Sequence, residues 1–76
     1  MTNMTKIENR DILINVKRAA KNKGIPIENL SQELGKTKSY ISSAFSKSKG
    51  LVSLELILGI SDKLDVDINQ LLEKRD

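Results

Sequence analysis

The chain has 76 residues, a formal net charge of +3, and neither Cys nor His. Those absences exclude disulfides, thiolate or imidazole metal sites and Cys- or His-based catalysis, and no apolar run approaches the ~20 residues of a membrane span. One small domain is expected, burying about 60–65% of the surface its unfolded chain exposes, and the lack of an apolar h-region near the N-terminus points to a cytoplasmic protein.

Residues 1–5 read as a flexible start. Thr5 followed by Glu8 fits a capping box that would begin the first helix near Lys6, with Asn9 as a later start. This helix runs to about residue 22, with Ile12, Val16, Ala19, Ala20 and Lys23 on one face and Leu13 and Ile14 widening it. Lys17, Arg18 and Lys21 in its last turns suit the helix dipole, and Gly24 stops it. Pro26 fits the first turn of a second helix over 26–34, because its missing N–H would be unpaired there. Ile27, Leu30, Ser31 and Leu34 repeat at i, i+3, i+4 and i+7.

Gly35 ends that helix, and Thr37 can cap a third over 38–46 that buries Ile41, Ala44 and Phe45. Its open face carries Lys38, Ser39, Ser42, Ser43 and Ser46. Serine is a poor helix former, which weakens a purely structural reason for this face. Two helices joined by a short Gly-containing turn make a helix-turn-helix arrangement. Residues 47–52 (KSKGLV) form a basic loop with Gly50 as a positive-φ candidate. Ser53 caps a fourth helix over 53–64. Its Leu54, Leu56, Ile57, Leu58, Ile60 and Leu64 surround most of it, so it is expected to be the central buried element. Gly59 within it marks a close approach of another helix. Asp67 and Gln70 form a second capping box opening a fifth helix over 68–74. Ile68, Leu71 and Leu72 there either close the core over the first helix or, with residues of the fourth, make a two-fold contact. The expected fold is all-α: five short helices in one domain over residues 6–74.

Charge is unevenly spread. Lys17, Arg18, Lys21, Lys23, Lys36, Lys38, Lys47 and Lys49 outweigh Glu28 and Glu33, giving +6 over residues 17–49. Residues 51–76 carry Lys63, Lys74 and Arg75 against Glu55, Asp62, Asp65, Asp67, Glu73 and Asp76, giving −3. Either one face suits a polyanion, or this is the solvated surface of a Lys-rich chain.

KGI at 23–25, Leu30, LG at 34–35, Ile41 and the closing SLELILGISDKLDVDINQLL at 53–72 resemble the lambda-repressor-like (Cro-type) helix-turn-helix regulators of phages and bacteria. The resemblance covers about residues 16–72. It implies a compact five-helix lambda-repressor-like domain that binds double-stranded operator DNA, commonly as a homodimer, with the third helix in the major groove. By position it assigns base contacts to Thr37, Lys38, Ser39, Tyr40 and Ser43, and phosphate contacts to Lys36, Lys47, Ser48 and Lys49. The chemistry is compatible. Lys donates to guanine O6 and N7, Ser bonds several base edges weakly, and phosphate contacts position without reading sequence. Tyr40 could reach a phosphate or a thymine methyl, or pack over the turn.

Several positions depart from the family pattern. Ile27 stands where a phosphate-holding Gln is frequent, and Pro26 where Ser or Thr caps. Lys36 replaces an apolar residue, Ser31 an Ala and Lys47 a Gly. Ala20 and Phe45 occupy positions where many relatives pair Arg with Glu. Exchanging a buried ion pair for apolar residues is often neutral or stabilising, so Phe45 is expected to pack against Ala20.

The resulting expectation is a sequence-specific DNA-binding transcriptional regulator, a phage or mobile-element repressor. The alternative is an antirepressor or co-regulator of the same fold that binds a second regulator protein. An enzyme is not expected: there is no Gly-rich phosphate loop, and no cofactor or metal is implied. Asp62, Asp65 and Asp67 lie close together, but capping is the more natural role for Asp67.

Overall fold

The computed structural model describes residues 8–48 and 50–73. It contains α1 (Asn9–Lys23), α2 (Ile27–Glu33), α3 (Tyr40–Lys47), α4 (Leu54–Leu64) and α5 (Ile68–Leu71), with no strand among the described residues. α1 begins behind Glu8, which is extended and donates its N–H to Asp11 Oδ2 at 3.1 Å. Thr5 and Lys6, on which the earlier start rested, lie outside the described residues. α1 ends at Gly24, left-handed at φ 73°. There Gly24 N–H bonds to Lys21 O and Ile25 N–H to Ala20 O, closing the last turn and folding Ile25 back onto the core.

Pro26 is the residue before α2 rather than its first turn, and its carbonyl accepts from Leu30 N–H at 2.9 Å. Gly35, at φ 79°, reverses the chain, and Lys36 N–H returns to Ser31 O at 3.1 Å. α3 starts at Tyr40, two residues later than the sequence suggests. Thr37 O instead closes a turn with Tyr40 N–H, and the first α-helical bond runs from Ser43 N–H to Ser39 O. The expected Thr37 cap is replaced by one from α2. Ser31 Oγ donates to Ile27 O at 3.1 Å and accepts from Ile41 N–H at 3.3 Å. A fully buried serine thus satisfies a donor at the start of the neighbouring helix, which an Ala could not do.

Ile12, Val16, Ala20, Leu30, Ile41, Phe45, Val52, Leu56, Ile57, Ile60, Leu64 and Leu71 form the core. Phe45 is buried, in the same cluster as Ala20. α1 touches each of the other four helices, whereas α4 touches α1, α2 and α5. The expectation that α4 is the central buried element is therefore corrected. Leu56, Ile57, Ile60 and Leu64 face inward, but Leu54 is 60% exposed and Leu58 49%. Gly59 does mark a close approach: a Cβ there would lie 3.3 Å from Leu34 Cδ2.

α1 also differs from the expected apolar face. Asp11 and Asn15 are buried, Leu13 and Ile14 are only half-buried, and Lys23 is exposed. Asn15 is buried because it has work there: Nδ2 donates to Leu71 O at 2.9 Å and Glu73 O at 2.8 Å, taking up carbonyls at the end of α5. α5 ends at Leu71, with Leu72 as its C-cap, short of the expected 68–74. Asp67 Oδ1 caps it through Asn69 N–H at 2.9 Å, and Gln70 bonds to Asp67 through its backbone N–H. Leu71 is fully buried, and Ile68 and Leu72 pack on the core, so this face closes over α1 and α4.

Candidate nucleic-acid interface

The α2–α3 corner presents its polar residues at the open end of α3. Thr37, Lys38 and Ser39 are all exposed, in the turn just ahead of the helix rather than within its first turn. Ser42 and Ser46 are exposed along α3, and Ser43 is half-buried. Ile41 and Phe45 hold the opposite face in the core. This helix is anchored on one side by burial and at its start by Ser31, so its outer side chains are offered on a fixed backbone.

Tyr40 is half-buried against the core and borders a groove with Leu34, Ser53, Leu56 and Gly59. Lys36 Nζ lies 5.3 Å from the centroid of its ring, within cation–π range. Of the roles open to Tyr40, packing over the turn is the one this arrangement supports. The ring also holds Lys36 near the beginning of α3.

The loop after α3 is fixed by Asn9, which the sequence offered only as a start for the first helix and which does open α1. Asn9, at the start of α1, donates from Nδ2 to Gly50 O at 2.8 Å and accepts at Oδ1 from Val52 N–H at 2.9 Å. Val52 is buried and seals the loop from below. The expected positive φ at Gly50 does not occur. The left-handed glycines among the described residues are Gly24 and Gly35, and Gly50 O instead receives Asn9 and the Ser48 hydroxyl. Ser48 therefore already donates its hydroxyl proton within the loop, and would have to release Gly50 O to donate it to a phosphate. Lys47 is exposed at the end of α3. Lys49 lies outside the described residues.

A further cationic group lies beside the first turn of α2. Lys17 and Lys21, one turn apart on α1, border a groove with Gly24, Pro26 and half-buried Ile27. Their i, i+4 spacing was legible, but not that this face of α1 meets the start of α2. The corner, the loop and these lysines share one chemistry: ammonium groups and hydroxyls, with few acidic neighbours in sequence. That set can bind phosphates and contact base edges; it offers no nucleophile–base pair. Among the described residues no group of acidic side chains could hold a metal ion, and no helix is long and apolar enough to cross a membrane.

Comparison with known families gives a match to the helix-turn-helix family over residues 16–71, from mid-α1 through α5. No curated protein and no solved structure matches the chain significantly.

Proposed function

The chain belongs to the lambda-repressor-like helix-turn-helix family of DNA-binding transcriptional regulators, and on that premise we propose that it is a sequence-specific repressor of the phage or mobile-element type, acting in the cytoplasm and reading the major groove from the open end of α3. The observation that carries this reading is the exposure of Thr37, Lys38 and Ser39 together at the head of a helix whose other face is locked in the core. Lys38 is the strongest candidate for a base contact, through guanine O6 and N7. Thr37, Ser39 and Ser43 supply weaker contacts. Tyr40 stands at the edge of this group and serves mainly to steady Lys36 at the backbone. Lys36, Lys47, Lys49 and the Ser48 segment meet phosphates, and Lys17 and Lys21 supply cations near the place where relatives carry a Gln and this chain has Ile27.

Affinity on this reading is largely electrostatic. If four to six of the basic residues neutralise phosphates, log affinity falls with log salt at a slope of roughly −4 to −5 per monomer. The α3 face lacks Arg, Asn and Gln, the side chains best suited to bidentate base reading, so discrimination per half-site is modest and DNA shape contributes. The test begins by selecting bound sequences from a random duplex pool and measuring affinity by fluorescence anisotropy. Lys38→Ala should weaken binding and relax one base preference. Lys47→Ala should weaken binding to all sequences alike. Unchanged affinity in both variants would refute this docking.

A second reading, an antirepressor or co-regulator that binds another regulator protein, is favoured by one observation: Ile27, half-buried at the start of α2, cannot hold a phosphate. A gel shift on the adjacent intergenic DNA, with and without the neighbouring regulator, separates the two. Direct retardation supports the repressor, and loss of the other protein's shift supports the antirepressor.

A further inference from the structure

Residues 37–40, which lead into α3, are strung between two backbone N–H groups that both bond to one residue of α2. Ahead of the segment, Lys36 N–H donates to Ser31 O at 3.1 Å. Behind it, Ile41 N–H donates to Ser31 Oγ at 3.3 Å. The same hydroxyl donates its own proton to Ile27 O at 3.1 Å, four residues back. That back-bond occupies the hydroxyl hydrogen and leaves a lone pair for Ile41. Ser31 and Ile41 are both fully buried, so water does not compete for either group.

The start of α3 draws its cap from another helix. Ser39 stands at the N-cap position and makes no side-chain cap bond. Thr37 contributes its carbonyl, to Tyr40 N–H at 3.1 Å, and the first α-helical bond comes only at Ser43 N–H. Ile41 N–H is one of the early helix donors that would otherwise go unpaired in the core. Ser31 therefore fixes the point at which the turn becomes α3. The consequence for recognition is geometric. A base-edge contact from Lys38 needs a backbone held in one place, whereas a lysine on a phosphate follows the chain over a wider range. Fully buried, Ser31 cannot touch DNA, yet it sets where Lys38 and Ser39 stand.

We propose that Ser31 is a positioning residue for base recognition. Its carbonyl and its hydroxyl hold the two ends of segment 37–40, and the hydroxyl governs how sharply the chain discriminates between sequences. An alanine at this position keeps the Lys36 bond, which is made to the backbone, and loses the Ile41 bond. Being smaller than serine, it enters the buried site without a clash, and the fold survives. The role rests on the DNA-binding reading, because it acts through Lys38 and Ser39.

Two affinities of the full chain test it: one for a duplex selected from a random pool, one for that duplex with its most strongly preferred base pair changed. Ser31→Ala should lower their ratio roughly three- to tenfold, which is one net hydrogen bond expressed as a ratio. Affinity for random duplex should stay within about twofold of the wild type, with the same salt slope, since the phosphate-facing lysines are untouched. Amide exchange in the free protein should speed up at Ile41 and not at Lys36. Asn15→Ala, which frees the carbonyls at the end of α5, controls for general destabilisation and should leave the ratio unchanged. A Ser31→Ala protein that discriminates as the wild type does overturns the proposal. So does an Asn15→Ala protein that loses discrimination equally. A wild type without any base preference instead refutes the DNA reading, and the role of Ser31 in recognition falls with it.

Discussion

Asn9→Ala separates the architecture of the basic loop from its charge. The substitution removes two hydrogen bonds, to Gly50 O at 2.8 Å and from Val52 N–H at 2.9 Å. A typical intramolecular hydrogen bond contributes about 0.5–1.5 kcal/mol net. The Gly50 bond is exposed and belongs at the low end. The Val52 bond is partly buried and, once broken, leaves an N–H with poor access to water. The expected loss is about 1–2 kcal/mol, or roughly 5–15 °C in Tm for a domain of this size. Asn9→Asp is the control: it keeps an acceptor for Val52 N–H, loses the donor to Gly50 O, and places a charge favourable to the α1 dipole. It should cost less than the alanine. Urea denaturation gives the stability, and anisotropy at two salt concentrations gives the binding. An unanchored loop must be ordered when DNA binds, so Asn9→Ala should bind all sequences about 5–10-fold more weakly, a little over 1 kcal/mol, with no change in base preference. If Asn9→Ala matched the wild type in both stability and DNA affinity, the loop would not be held in the way described.

Phe45→Ala deletes the one Phe, buried at the α1–α3 contact, and should cost about 3–5 kcal/mol by urea titration, enough to leave so small a domain largely unfolded. Asn15→Ala strips the donor from Leu71 O and Glu73 O and should cost about 2–3 kcal/mol, with early amide exchange in α5. Gly59→Ala gains up to ~1 kcal/mol of helix propensity against crowding from Leu34 Cδ2, the movable end of a half-buried side chain. A stabilisation of about 0.5 kcal/mol is expected from thermal unfolding.

Local signals in the sequence located much of this fold. Gly24 and Gly35 end their helices in the left-handed conformation, Ser53 and Asp67 cap theirs through side-chain oxygens, and Leu30 and Ser31 fall on the buried side of α2. What stayed hidden depends on residues far apart in the chain. Asn15 and Asn9 look like interruptions or surface positions until their partners at the other end of the domain are known. Ser31 reads as a small residue at a crossing, and only the packing of α2 on α3 reveals it as the cap for Ile41. α4 is apolar almost all round, so hydrophobic periodicity could not say which leucines would find a neighbour. At the interface, exposure of Lys38 and Ser39 followed from the apolar spacing of Ile41 and Phe45. The stacking of Lys36 on Tyr40 and the internal bond of Ser48 did not, because each is a choice among rotamers made by the folded surroundings.

The central claim is that duplex DNA meets the open end of α3 and the loop behind it. An amide chemical-shift titration of the isotope-labelled chain with a selected duplex, at low salt, tests it residue by residue. Shifts should concentrate at residues 37–43 and 47–50, with smaller ones at Lys17 and Lys21 and none in α5. An absence of shifts, or shifts confined to the α1–α5 groove around Asn22, Gln70 and Glu73, would contradict it.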